Sequence, residues 1–265
     1  MTTIPEKLNT MAKISLLASC LLSLVTLSFP TLAADEPFKV YGYEIVKTYP
    51  HDDNAFTQGL VIDGGKLYES TGRNGQSGIR LVDLESGDLL ERKNLASRFF
   101  GEGITILNDK IYQLTWQAQL GFVYDLDTFV QEKSFYVPGE GWGITDDGEQ
   151  LIMSDGTPEL RFLDPETLQE THRVQVTANG TPITYLNELE YINGEVWANV
   201  WYQDIIVRID PATGNVTGVV NLMGLHPERR TRDEVLNGIA WDEATGKIYV
   251  TGKLWSALYE ITVTE

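Results

Sequence analysis

A chain of 265 residues with 42% apolar content can bury a sizeable core, and its formal charge of −18 sets it against nucleic acid and anionic membrane surfaces. One cysteine and three histidines exclude a disulfide-stapled scaffold and leave too few ligands for a His/Cys zinc centre. A field of this sign draws in cationic ligands such as peptide amino termini.

The chain opens with a leader. Residues 1–33 carry Lys7 and Lys13, then the apolar run "ISLLASCLLSLVTL", then Pro30 and the small-residue site Thr31-Leu32-Ala33. The run is shorter than the roughly 20 residues that span a bilayer, so it reads as an export signal cleaved after Ala33. The string "LASC" also resembles a lipoprotein signal anchored at Cys20; that reading ranks second, because the apolar stretch before Cys20 is short and continues beyond it. Cleavage after Ala33 removes the only cysteine and leaves residues 34–265 as one domain. A periplasmic or secreted monomer, free of the membrane, is expected.

From residue 38 onward, short runs rich in Val, Ile, Tyr, Phe and Trp alternate with Gly, Asp and Asn clusters, and helical periodicity is absent. This is an all-β pattern. Residues 40–49, "VYGYEIVKTY", make a first strand. One unit then recurs five times. Its first half reads "FTQGLVIDGGKLYESTG", "FGEGITILNDKIYQLTW", "GWGITDDGEQLIMSDG", "LNELEYINGEVWANVW" and "LNGIAWDEATGKIYVTGKLW", a hairpin whose turns include Asp63-Gly64, Asp147-Gly148 and Asn193-Gly194. Its second half is another hairpin, with a turn after Asp83, Asp125, Asp164 or Asp210. The fifth copy is lengthened by the loop "LMGLHPERRTRDEV", a solvated basic segment with Arg229, Arg230 and Arg232. It stops three strands in, at "ALYEITVTE", and the first strand is available to supply the fourth. The expected fold is a five-bladed β-propeller of four-stranded antiparallel blades, its ring closed by the N-terminal strand so that no sheet edge is left open. An open two-sheet sandwich is the alternative, but it gives no reason for five copies of one unit.

The copies are superposed on Gly59-Leu60, Gly103-Ile104, Gly143-Ile144, Leu189-Glu190 and Gly238-Ile239. The residues just before these pairs are Gln58, Glu102, Trp142, Glu188 and Asn237, and the second strands end at Gly72, Trp116, Asp155, Trp201 and Lys253. Packing positions repeat a residue type, as the turn aspartates do. These positions do not, so unlike groups are expected to converge on one pocket at the mouth of the channel. Trp116, Trp142 and Trp201 fall to that pocket, whereas Trp197 and Trp241 fit blade packing. Burial near the axis would raise the pKa of Glu102 and suit it to general acid work. No ring position holds His51, His172 or His226, so neither a Ser–His nucleophile nor a zinc site is indicated. The stretch "GRNGQSG" after β-like "YEST" reads as a loop and not a phosphate cradle. No metal and no cofactor are expected.

Certain strings appear in order along nearly the whole mature chain: "FTQGL" (Phe56, Gln58), "FGEGIT" (Glu102), "LTW" (Trp116), "GEGWG" (Trp142), "LNELE" (Asn187, Glu188), "ANVW" (Trp201), "LNGIA" (Asn237) and "TGKLW" (Lys253, Trp255). Together they resemble the plant and bacterial glutamine cyclotransferase family, five-bladed propeller enzymes distinct from the zinc-dependent animal enzymes of the same reaction. The resemblance implies conversion of the amino-terminal glutamine of a peptide to pyroglutamate, with release of ammonia and without metal. It implies Glu102 as proton relay, Asn187 and Lys253 as oxyanion and amide partners, Phe56 and Gln58 as substrate contacts, and Trp116, Trp142 and Trp201 as an apolar cage. The repeat register places Glu188 on the ring where the resemblance favours Asn187. Both are carried forward, with Asn237 in a supporting place.

Two further readings compete. A calcium-dependent lactonase-like propeller would use Glu102, Asn187 and Asn237 as oxygen donors, against which Lys253 and the indoles argue. A periplasmic peptide-binding propeller would hold peptides without turning them over. The strings Asn179-Gly180-Thr181 and Asn215-Val216-Thr217 are glycosylation sequons, relevant only in a eukaryotic secretory route.

Overall fold

The computed structural model describes residues 38–265; the export signal and Cys20 lie outside the described residues. Strand β1 (Lys39–Pro50) comes first. The first unit is β2 (Thr57–Asp63), β3 (Lys66–Thr71), β4 (Gly78–Val82) and β5 (Leu89–Asn94). The second is β6 (Gly101–Leu107), β7 (Lys110–Thr115), β8 (Leu120–Asp125) and β9 (Gln131–Tyr136). The third is β10 (Ile144–Asp146), β11 (Leu151–Met153), β12 (Glu159–Leu163) and β13 (Glu170–Gln175), followed by a small hairpin of β14 (Thr177–Ala178) and β15 (Thr181–Pro182). Then come β16 (Leu186–Ile192), β17 (Glu195–Val200), β18 (Ile205–Ile209) and β19 (Val216–Asn221), and last β20 (Leu236–Asp242), β21 (Lys247–Gly252) and β22 (Ala257–Thr264). No helix occurs among the described residues.

The first three units are separate four-stranded antiparallel sheets, β14 and β15 form a two-stranded one, and the other eight strands form one sheet in the order β16-β17-β18-β19-β1-β22-β21-β20. That merger departs from the separate sheets expected at the chain's end. Its cause is β1, which pairs antiparallel with β22 from Gly42↔Thr264 to Pro50↔Ala257 and, over Lys39–Tyr41, pairs in parallel with β19. An ion pair between Lys39 and Glu265 ties the two ends.

Local chemistry explains the repeated turns. Asn193 and Gly194 both take positive φ (51° and 89°), as a two-residue hairpin turn requires. In the second hairpins Asp83 accepts from Ser86 N (2.8 Å), Asp125 from Thr128 N (3.0 Å), Asp164 from Thr167 N (2.7 Å) and Asp210 from Ala212 N (2.9 Å). A carboxylate capping the turn backbone is a local requirement, so each copy repeats it.

The first two or three strands of each unit are largely buried, and β5, β9 and β13, the fourth strands of the first three units, are mostly exposed. Among the starting strands, β2 lies against β6 and β20, β10 against β6 and β16, and β16 against β20. Their backbones approach closely. A β-carbon at Gly103 would lie 2.7 Å from Ile144 N, so glycine is required there. The apolar core fills the spaces between neighbouring units. Leu114 and Tyr112 meet Ile144 and Met153, and Trp197 joins Ile239, Val250 and Trp255, with Trp241 packed at the edge of that cluster.

A buried ionic clasp holds the exit of β1. His51, directly after β1, offers Nδ1 to the Trp255 carbonyl (2.7 Å) and Nε2 to Glu69 (3.1 Å). Both partners only accept, so both ring nitrogens donate and the imidazole is an imidazolium. Glu69 also accepts from Thr57 Oγ1 (2.7 Å) and pairs with Arg80 (3.3 Å), which reaches Asp52 (2.7 Å). Burial opposes the charge on His51, but Glu69 and the carbonyl outweigh it, and the pKa is raised. This stabilisation is fully present below the unfolded value near 6.5 and is lost as pH rises through the raised folded value. His51→Ala removes one of the two cations that pair with the buried Glu69 and leaves it to Arg80 and Thr57, which should cost about 3 kcal/mol. Thermal melts across neutral pH check it: the gap between wild type and variant should shrink as pH rises.

Candidate active site

Each ladder between the first two strands carries a bulge at its start, except in the third unit. The register slips between Thr57 and Gly59, Gly101 and Ile104, Leu186 and Leu189, and Leu236 and Ile239. An extra residue bends the strand and re-aims its side chain. In pairing terms Glu102, Asn187 and Asn237 share one place, and Gly103, Glu188 and Gly238 the next. Superposing the copies by sequence sets Glu188 against Glu102, one residue out, so the fourth unit turns Asn187 toward the site. Glu188 goes the other way, accepting from Leu60 N (3.2 Å) and Ile239 N (2.8 Å) and stitching three units together.

A similar slip affects the second ring. Met153 pairs with Ile144 as Gln113 pairs with Ile104, so the counterpart of Trp116 is Gly156 and not Asp155. Asp155 instead sits 3.5 Å from Arg161. The two glycines at this place make room for aromatic rings. A β-carbon at Gly156 would lie 2.7 Å from the Trp142 indole, and one at Gly72 would collide with the Phe100 ring.

Eight of the residues singled out in the sequence meet in one cavity of about 250 Å³: Phe56, Gln58, Glu102, Trp116, Trp142, Asn187, Trp201 and Lys253. Phe100, Tyr202 and Asp233 complete its wall. Glu188 and Asn237 do not line it. Asn237 donates from Nδ2 to Thr57 O (3.0 Å) and to Gln58 Oε1 (3.4 Å), bracing Gln58 from behind.

The walls are two aromatic chains. Phe56, Phe100 and Trp116 meet edge to face, with centroids 6.0 and 5.6 Å apart, and Trp142 meets Trp201 at 5.3 Å and 86°. Glu140 joins the chains: its Oε2 accepts from Trp116 Nε1 (2.8 Å) and Trp142 Nε1 (2.9 Å), and its Oε1 from Gln117 (2.9 Å). Burial of Glu140 is outweighed by these three donors, so its pKa is lowered and it is ionised at neutral pH.

Three polar groups face this apolar space without a protein partner. Glu102 is 4% exposed and its carboxyl makes no side-chain hydrogen bond among the described residues. Burial pushes it well above the usual carboxylate range, with Lys253 opposing and Glu140 adding to the rise. Lys253 is 4% exposed; burial pushes it down to about 8, against the pull of Glu102 and Asp233. Its Nζ lies 5.0 Å from the Phe56 centroid and 6.0 Å from that of Trp201. Asn187 is 3% exposed and its Oδ1 has no partner.

Hydroxyls on the preceding unit fix the backbone of two of these three, Glu102 and Asn187. Ser70 donates to the carbonyl of Glu102 and receives from Gln113 (2.8 Å), and Ser154 donates to the carbonyl of Asn187 (2.6 Å). The three oxygen donors Glu102, Asn187 and Asn237 are not gathered in this cavity, because Asn237 does not line it. Among the described residues no group of three His, Cys, Asp or Glu is placed to hold a metal ion.

This all-β arrangement is that of a glutaminyl cyclase. It matches the crystal structure of Myxococcus xanthus glutaminyl cyclase with a TM-score of 0.82 and 37% identity, covering 86% of this chain and 99% of that one. A curated glutaminyl-peptide cyclotransferase of Arabidopsis thaliana is 43% identical over 237 residues, spanning 87% of this chain and 74% of the relative. The family model described as glutamine cyclotransferase matches residues 16–263. The chain belongs to the glutamine cyclotransferase family.

Proposed function

We propose that this protein cyclises the amino-terminal glutamine of peptides to pyroglutamate, releasing ammonia, in the cavity around Glu102. The observation that carries the reading is the set of three unpartnered polar groups, carboxyl, amine and amide, in an aromatic-walled pocket of about 250 Å³. The reaction is intramolecular, so the pocket must fold one side chain back on its own amine and keep water out. Trp116, Trp142, Trp201 and Phe56 supply that enclosure.

Glu102 takes a proton from the bound α-ammonium, whose ordinary pKa is about 7.7–8.0. Burial raises the Glu102 pKa, which makes its carboxylate a stronger base toward that proton than an ordinary carboxylate. The freed amine attacks the γ-carbonyl carbon, forming the ring C–N bond. Lys253 and the amide of Asn187 donate to the oxygen as it takes charge. Glu102 then gives its proton to the side-chain nitrogen, which departs as the C–N bond breaks; it takes the surplus proton from the ring nitrogen and passes it to the ammonia, which leaves as ammonium and returns Glu102 to the carboxylate. Gln58, braced by Asn237, contacts the substrate backbone.

The fold reading that accompanies this is a five-bladed propeller of residues 34–265, with β1 as the fourth strand of the last blade. It is supported by the neighbour relations of β2, β6, β10, β16 and β20 and by the pairing of β1 with β22. Export to the periplasm or medium is supported by the signal-like pattern of residues 1–33.

The test is incubation with a glutaminyl dipeptide amide, reading ammonia and the matching loss of mass. Binding without ammonia would leave a peptide-binding protein. A second measurement probes Glu140. Glu140→Leu frees both indole N–H groups and should raise KM about tenfold, from lost cage geometry. Glu140→Gln keeps an acceptor but removes the charge that raises Glu102. The ascending limb of its kcat–pH profile, where Glu102 becomes the carboxylate that accepts the first proton, should therefore move to lower pH.

A further inference from the structure

Beyond the glutamine pocket lies an aromatic shelf that the reaction itself does not use. Tyr202 lines the cavity mouth and stacks on Trp201, with centroids 4.3 Å apart at 27°, and Tyr185 flanks the same indole at 6.2 Å. Both tyrosines are about half exposed, at 54% and 52%, and neither hydroxyl has a hydrogen-bond partner among the described residues. Both also sit in left-handed backbone, at φ 65° and 64°. Tyr202 is the third residue of a turn closed by Gln203 N donating to Val200 O (2.9 Å), the place where glycine is favoured. Tyr185 is held at both backbone groups, donating to Gly156 O (2.8 Å) and accepting from Trp201 N (2.9 Å). A bulky residue in a costly conformation, twice, beside one cavity, is how strain collects at functional positions.

Resting on the proposed activity, we infer that this shelf is a subsite for the residue that follows the glutamine, and that it favours an aromatic or large apolar side chain there. Cyclisation requires the α-amine and the γ-carbonyl inside together, so the peptide leaves the pocket through its α-carbonyl, toward the mouth. An extended chain advances about 3.3 Å per residue, which sets the second side chain at the rim. Asp233, paired with Arg73 (3.7 Å), and Tyr202 both line the cavity, and Tyr185 flanks the same Trp201 indole as Tyr202. A flat ring laid on Tyr202 continues the stack that Trp201 begins.

The experiment compares Gln-Phe-amide with Gln-Gly-amide in the ammonia assay, for wild type, Tyr202→Gly and Tyr202→Trp. Wild type should favour Gln-Phe-amide in kcat/KM by about threefold to tenfold, the range of one aromatic pair, with the difference in KM and not in kcat. Tyr202→Gly should bring the ratio close to one, and Tyr202→Trp should retain it. Glycine suits φ 65°, so the melt of Tyr202→Gly should match or exceed wild type and separate lost packing from lost folding. Ammonia from both peptides at equal efficiency in wild type, or an undiminished ratio in Tyr202→Gly, overturns the subsite while leaving the activity standing. Ammonia from neither peptide overturns the activity and the subsite with it.

Discussion

Replacing Glu102 by glutamine should lower kcat about a thousandfold, within the range that positioned proton transfer contributes, with the fold intact. The amide matches the carboxyl in shape but can neither accept the amine proton nor hand it to the departing nitrogen, and an amide anion is too basic to leave without one. Stability moves the other way. Burial holds the Glu102 pKa above its unfolded value, so folding loses free energy as pH rises through the ordinary carboxylate range. Glu102→Gln removes that loss. Its melting temperature should equal wild type in acid and exceed it at neutral pH. A kcat within tenfold of wild type would remove Glu102 from the chemistry.

The second large effect is expected at Lys253. Lys253→Met should reduce kcat/KM about a hundredfold, the usual cost of losing one oxyanion donor. It should also stabilise the protein. The amine is pushed down to about 8 from its ordinary value of 10.5, a penalty of up to about 3 kcal/mol at neutral pH, where it is charged folded and unfolded alike. Between about 8 and 10.5 the folded form has shed its proton and the unfolded form has not, so the penalty fades as pH rises. Melts from pH 7 to 10.5 should show Lys253→Met ahead at neutrality and its lead closing toward the alkaline end. The wild-type activity should descend near pH 8, where the ammonium is lost, and that limb should be missing from the residual activity of Lys253→Met. A variant that is less stable than wild type at pH 7 would contradict the burial cost assigned to this amine.

The fold was legible where its causes are local. Asn193-Gly194 must turn, and Asp83, Asp125, Asp164 and Asp210 each cap a turn backbone, so the period is written in residues that cannot easily change. The site was legible only to within the bulges. A slip of one residue is invisible in a string such as "LNELEY", where Leu189-Glu190 mimics the small-apolar pair of other copies, and the error exchanged Asn187 with Glu188 and Asp155 with Gly156. What two glycines leave empty was harder still. Phe100 reaches the pocket through the space over Gly72, and nothing in the sequence near Gly72 announces it. Glu140 stands in the quoted string "GEGWG", yet only the structure brings Trp116 close enough to share its oxygen with Trp142. The hairpin of β14 and β15 lay hidden because two-residue strands carry no periodicity, although Asn179-Gly180 at its turn is a hairpin signal.

The pairing of β1 with β22 also bears on synthesis. The first described strand emerges from the ribosome long before its antiparallel neighbour, which lies at the opposite end of the polypeptide. Contacts of such sequence separation form late and slowly. Vectorial emergence therefore cannot finish this sheet piece by piece: β1 has no antiparallel partner until β22 has been made.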